Sequence, residues 1–172
     1  EVVVFYDPSI DGVRGKDKVV LQRNIVNSCV QEILNTSDLK IEHHESGAPY
    51  INSENMPSVS ISHSKSWFAI QLSKIDHVGI DIQVIKADIS KGLRYFVNEF
   101  EEKNIELSNV NLNIIWAAKE AVYKFKKGDL EFYKEAMTVL EIKDNRLTVK
   151  VGEEVVECSL VLEEDFVLVY IV

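Results

Sequence analysis

The sequence predicts an α+β protein in which helices pack on antiparallel sheets. Three observations carry that expectation. Apolar residues recur at helical spacing in two long stretches, two β-rich runs lie near the middle, and the last third reads as four short strands divided by turn residues. Apolar side chains make up 46% of the 172 residues and charged ones 27%, ordinary globular usage that excludes disorder and low complexity. At this length folding buries roughly 70% of the extended-chain surface, enough for a core without disulfide staples.

Val2–Tyr6 reads as a short strand rich in β-branched and aromatic residues. Val20, Leu21, Ile25, Val26, Cys29, Val30, Ile33 and Leu34 then fall on one helical face, which predicts an amphipathic helix over 18–35. Asn35-Thr36-Ser37-Asp38 ends it, and residues 39–60 read as loop, with turn signals at Ser46-Gly47-Ala48-Pro49 and Asn52-Ser53. Trp67–Leu72 and His77–Val84 read as a hairpin across the polar turn Ser73–Asp76. Leu93, Phe96, Val97 and Phe100 suggest a short helix, and Asn111–Lys126 a longer one with Ile114, Ala118, Ala121, Val122 and Phe125 as its core stripe. The tail strands are Met137–Ile142, Arg146–Val151, Val155–Leu162 and Phe166–Val172.

Charge narrows the function. Nineteen basic against 28 acidic residues give a net charge of −9, which argues against a nucleic-acid partner yet allows a small basic pocket for a phosphorylated ligand. Cys29 and Cys158 match no metal or redox spacing and read as apolar thiols in a reducing compartment. No stretch has the ~20 consecutive apolar residues of a membrane span. With no signal-peptide pattern either, the expected location is the cytoplasm.

Chemistry concentrates in three short stretches. In Gly79-Ile80-Asp81-Ile82-Gln83 the strand period puts Gly79, Asp81 and Gln83 on one face and the isoleucines on the other. Aspartate is depleted in strands, so Asp81 needs a donor, a metal or a solvated edge. In Trp116-Ala117-Ala118-Lys119-Glu120-Ala121-Val122-Tyr123-Lys124, residues 116, 120 and 124 share one helical stripe, while the alanines permit close approach to a sheet. Ser60-Ile61-Ser62-His63-Ser64-Lys65 reads as a polar turn whose hydroxyls, imidazole and ammonium can all donate to phosphate oxygens. His43-His44 has no ligand partner at metal spacing and reads as solvated loop.

Taken in order, these stretches resemble the 4′-phosphopantetheinyl transferase superfamily, closest to its longer, surfactin-synthetase-activating branch. Arg94-Tyr95-Phe96 followed by Glu99 resembles that family's Arg-Phe-Phe…Glu stretch, and Gly47-Ala48-Pro49 its Gly-Lys-Pro turn; the likeness spans residues 18–130. The resemblance implies two pseudo-twofold halves, each a small antiparallel sheet with a packed helix. Residues 1–75 would form the nucleotide-side half, and 76–172 the half carrying the metal site and the carrier-protein side. It implies a monomer that moves the 4′-phosphopantetheine arm of coenzyme A to a serine of an apo acyl or peptidyl carrier protein and releases adenosine 3′,5′-bisphosphate. Mg²⁺ would be held by Asp81 and Glu120, with Gln83 beside them; Glu120 would deprotonate the serine, and Lys124 would balance charge on the pyrophosphate. His63, Ser62 and Lys18 would contact phosphates, with Lys16 and Arg23 as looser candidates.

Two departures matter. Gln83 stands where many relatives have a glutamate, and Ala48 replaces the lysine of Gly-Lys-Pro, leaving Lys65 or Lys119 to compensate. They keep a second reading open, a non-catalytic regulator that binds coenzyme A or a carrier. A third reading is an interaction domain whose motif-like residues are plain surface pairs. Because carriers are acidic, docking would need a local basic patch, for which Lys124-Phe125-Lys126-Lys127, Lys86, Lys91 and Arg94 are candidates.

Overall fold

A computed structural model describes residues 1–75, 78–128, 130 and 133–172. β1 (Val2–Tyr6) leads through a 3-10 turn at Pro8–Ile10 into α1 (Gly15–Ile33). β2 (Ile41–His43) and β3 (Pro49–Ile51) form a small hairpin whose turn uses Gly47 at φ +85°. β4 (Ser58–Ser64) and β5 (Trp67–Ser73) follow, and the first sheet has the order β1-β5-β4, antiparallel throughout. Val26 and Val30 of α1 close a core over it with Leu39, Ile51, Val59, Phe68, Ile70 and Leu72. Burying each of these aliphatic or aromatic side chains contributes about 1.5–3 kcal/mol.

The second sheet opens with β6 (Ile80–Val84), which passes through a 3-10 segment at Ile89–Tyr95 to α2 (Glu99–Asn104) and α3 (Asn109–Phe125). A single turn, α4 (Tyr133–Ala136), then precedes β7 (Met137–Lys143), β8 (Arg146–Val151), β9 (Glu154–Leu162) and β10 (Phe166–Ile171). Its strand order is β6-β10-β9-β8-β7, again antiparallel. Leu112, Ile115, Ala118 and Val122 of α3 pack on Val139, Val149, Val156, Cys158, Val167 and Val169. A third apolar cluster, with Ala69, Ile80, Ile82, Phe166 and Leu168, joins the two sheets. The class is therefore mixed α+β, and among the described residues no helix is long and apolar enough to cross a membrane.

Several local expectations change. The run at Trp67 and the run ending at Val84 are not a hairpin, because β5 already has β1 on one edge and β4 on the other, so β6 pairs with β10 instead. Asp76 and His77, which closed the expected turn and opened the second run, lie outside the described residues. The Ser60–Lys65 stretch is no turn: residues 60–64 are strand β4, because Val59, Ile61 and His63 alternate with serines at period two. The turn comes one residue later, at Lys65 with φ +53°. The loop-rich 39–60 stretch holds the β2–β3 hairpin and the start of β4. The helix suggested around Leu93–Phe100 splits in two. Asn98 caps α2 by accepting from Phe100 N and Glu101 N, while Glu101 accepts from Asn98 N, a reciprocal pair that fixes the start of a new helix.

The serines of β4 have a structural task. β4 and β6 lie side by side in different sheets, and hydroxyls bridge them in place of a backbone ladder. Ser60 Oγ accepts from Ile80 N (3.2 Å), Ser64 Oγ accepts from Val84 N (3.0 Å), and Ser62 Oγ donates to Asp81 (2.7 Å). Gln71 continues the seam, donating to Ile171 O and accepting from Gly79 N. Just before β6 the chain passes α3 so closely that a Cβ on Gly79 would lie 2.2 Å from Ala121 O and 2.8 Å from Phe125 Cβ. Gly79→Ala must push the helix off the strand, and we expect a loss near the top of the usual overpacking range of about 1–3 kcal/mol, read by urea denaturation.

Candidate active site

The seam and α3 together set a carboxylate and an ammonium beside a cavity. Asp81 is 6% exposed, a costly place for a charge, and two donors offset that cost. Ser62 Oγ lies 2.7 Å and Lys124 Nζ 2.8 Å from the same Oδ1. Lys124 also donates to Ile80 O at 2.9 Å, so one ammonium ties the last turn of α3 to β6. At the other end Asn113 of α3 grips the strand exit, accepting from Lys86 N and donating to Lys86 O. The Lys124 side chain keeps 28% of its surface exposed, so it can turn toward a ligand as well as toward Asp81.

The cavity, about 540 Å³, lies between α1, the β2–β3 hairpin, β4 and the end of α3. That size suits a drug-sized or nucleotide ligand. Its cations are Arg23 from α1, Lys124 from α3 and Lys127 from the turn after it, with His63 from β4 beside them. The hairpin side of the lining has no lysine or arginine: His44 stacks on Tyr50 at 4.4 Å between ring centroids, and Ala48 lies on the wall. Tyr50 and Asn52 donate to Glu42, which holds that carboxyl below the usual carboxylate range. His43 and His44, read from sequence as idle loop, thus line the cavity, because the hairpin folds them over it.

His63 is held below the ordinary histidine range, first by partial withdrawal from water and then by the charges of Lys124 and Lys18, against the pull of Asp81. Lys18 therefore belongs to the same electrostatic neighbourhood. The folded protein binds fewer protons here than the unfolded chain, so this residue's contribution to stability is full above about pH 6.5 and is lost as pH falls below it. Denaturation at pH 7.5 and 5.5 is expected to show a larger loss for the native protein than for His63→Gln.

Ser62, His63, Asp81 and Lys124, with Lys18 near, come together from four separate elements. Glu120 is half-buried and sits one turn before Lys124 on the same face of α3, about 6 Å along the helix. Gln83 is two residues from Asp81, and its amide nitrogen donates to Ser64 Oγ and Val84 O. Two expectations are corrected. Lys119 cannot reach a ligand: it is fully buried, with Nζ 2.6 Å from Phe96 O and 2.9 Å from Glu101 Oε2. Lys65 stands in the β4–β5 turn, outside the cavity lining.

Two residues past Glu99, the acidic residue of the resemblance, stands a second one, Glu101. Glu101 is fully buried, whereas Glu99 is an exposed partner of Lys103. The Asn98-x-x-Glu101 capping pattern was the sequence signal for it. Both cysteines are free thiols; Cys158 is buried, with its thiol pushed up to about 12, and Cys29 is half-buried.

The donor set suits a hard divalent cation. Mg²⁺ takes one or two protein carboxylates and completes its shell with phosphate and water. Asp81 already accepts a cation, the Lys124 ammonium, and Glu120 is the next carboxylate on the same helical stripe. Among the described residues no three His, Cys, Asp or Glu side chains converge. No protein-family model matches the chain, and no curated protein matches it.

Proposed function

We propose that the chain is a Mg²⁺-dependent 4′-phosphopantetheinyl transferase that uses coenzyme A and an apo carrier protein. The observation that carries this reading is the meeting at Asp81 of three stretches remote in sequence: Ser62 and Lys124 both hold its Oδ1, at the edge of a cavity lined with His63, Arg23 and Lys127. Strand order supports the two-half architecture, in residues 1–75 and 76–172. In each sheet the first strand leads toward a helix, pairs with the last strand of its set, and that last strand forms a hairpin with the one before it. β1-β5-β4 and β6-β10-β9 are thus one arrangement used twice.

The chain's own groups divide the work as follows. His63 and Lys124 bind and orient the diphosphate, and Lys18 and Arg23 add positive potential around it. Bound Mg²⁺, held by Asp81 and Glu120 with Gln83 adjacent, would neutralise the charge that repels the nucleophile. Glu120, on a helix fixed at both ends, takes the proton of the carrier serine. Lys124 balances the charge left on the departing nucleotide. Ser62 keeps Asp81 from turning away. Ala48 leaves the hairpin wall without a cation, so phosphate binding falls to the α1 and α3 side.

For carrier docking, the basic candidates are partly occupied: Lys126 pairs with Glu154 and Lys91 with Asp88. Arg94, lying over the Tyr95 ring, and Lys86 remain beside a shallow groove that Trp116 also lines. Trp116, Glu120 and Lys124 share one helical stripe, so that groove lies at the opposite end from the nucleotide cavity. Incubation with coenzyme A, Mg²⁺ and a panel of apo acyl and peptidyl carriers is expected to add one phosphopantetheine mass to at least one carrier. Coenzyme A binding by calorimetry with no carrier modified would instead favour the regulator reading, which Gln83 and Ala48 motivate.

A further inference from the structure

Gln22 reaches His63 across the cavity wall. Its Nε2, from α1, lies 3.1 Å from His63 Nδ1 on β4, 41 residues away in sequence. Both side chains line the cavity, and Phe68 flanks the imidazole with ring centroids 6.0 Å apart. An amide nitrogen carries two hydrogens and accepts nothing, so the contact requires Nδ1 to be the acceptor. Nδ1 accepts only when it bears no proton, and a neutral ring then carries its proton on Nε2.

The surroundings of the ring favour the neutral form. Partial burial acts first, and Lys124 on α3 and Lys18 on α1 repel an imidazolium; a hydrogen bond to the residue's own backbone and Asp81 on β6 oppose them without prevailing. A free neutral imidazole exchanges between two tautomers, one of which turns a lone pair toward whatever faces Nε2. A lone pair facing a phosphate oxygen repels it, whereas an N–H attracts it.

We propose that Gln22 is a positioning residue that locks His63 in its Nε2–H tautomer, so that the ring offers a hydrogen-bond donor to an anion in the cavity. This deepens the diphosphate reading of the cavity and rests on it for the identity of the anion; the tautomer itself does not depend on it.

The test is long-range ¹H–¹⁵N spectroscopy of histidine-labelled protein at pH 7.5, with His63 assigned by its loss in His63→Gln. The native protein is expected to show Nε2 protonated and Nδ1 bare. Gln22→Leu should move the ring to a mixture of tautomers. Gln22→Glu, which puts an acceptor opposite Nδ1, should protonate that nitrogen and raise the titration midpoint. Titration with inorganic pyrophosphate should show about a three- to tenfold loss of affinity in Gln22→Leu, the worth of one hydrogen bond. That loss should vanish in the His63→Gln background, since Gln22 acts through the ring.

A protonated Nδ1 in the native protein, or a tautomer indifferent to Gln22→Leu, overturns the proposal. Native protein that has the Nε2–H tautomer but fails to bind pyrophosphate sinks the diphosphate reading and leaves the lock standing.

Discussion

Glu101→Leu is expected to cost about 3–5 kcal/mol, a large share of the 5–15 kcal/mol that ordinarily holds a domain together. Both partners of the Glu101–Lys119 pair are fully buried at 2.9 Å. Glu101 Oε1 accepts from Val139 N, its Oε2 accepts from Asn98 N, and Lys119 also donates to Phe96 O and Lys134 O. One ion pair thus joins α2, α3 and the start of β7. Burial pulls the Lys119 ammonium below the usual lysine range, and Glu101 pulls it back. Removing the carboxylate leaves that charge in the core with carbonyl partners alone. The midpoint of thermal unfolding should fall by about 10 °C or more. Lys119→Met combined with Glu101→Gln should be less destabilised than the sum of the single changes. The double variant leaves no uncompensated charge, and its amide can still accept one of the two backbone N–H groups.

The second large effect is on turnover. Glu120→Gln is expected to lower kcat/KM for carrier modification by about 10²–10⁴-fold, the usual worth of a positioned general base. Because the residue is half-buried and Gln is nearly isosteric with Glu, thermal stability should stay near the native value. Asp81→Asn should cost at least as much activity. It should also raise the Mg²⁺ concentration needed for half-maximal rate, since an amide holds a divalent ion less well. A Glu120→Gln protein that modifies carriers at the native rate would remove Glu120 from the chemistry.

Much of this architecture was legible where a period was strong. The stripe on α1, the alanine-lined stripe on α3 and the alternation of the last four strands all mark packing faces, and each element formed within a few residues of its expected bounds. β4 was not legible as a strand because its serines resemble turn residues. Their hydroxyls serve as bonding groups along a seam, which depends on where β6 lies. The hairpin expected at β5 and β6 failed for a long-range reason, the claim of β1 and β4 on both edges of β5.

At the candidate site, His63, Asp81 and Lys124 stand out by residue type and order, and the fold brings them within reach of one another. Gln22 and the hairpin histidines carry no such local mark; only the packing of α1 and β2–β3 around one cavity gives them a place. Lys119 reads from sequence as a cation able to replace the missing phosphate contact, but its partner Glu101 lies 18 residues away in sequence. In the fold its ammonium is fully buried and held by Glu101 and the carbonyls of Phe96 and Lys134.

The central claim is spatial: Asp81 and Glu120 share one divalent ion beside the diphosphate of coenzyme A. Its most direct test is anomalous diffraction from crystals grown with coenzyme A and Mn²⁺ in place of Mg²⁺. The account predicts a Mn²⁺ peak within coordinating distance of both carboxylates, with the diphosphate against His63 and Lys124. A peak that touches neither carboxylate, or coenzyme A bound away from this cavity, would contradict it.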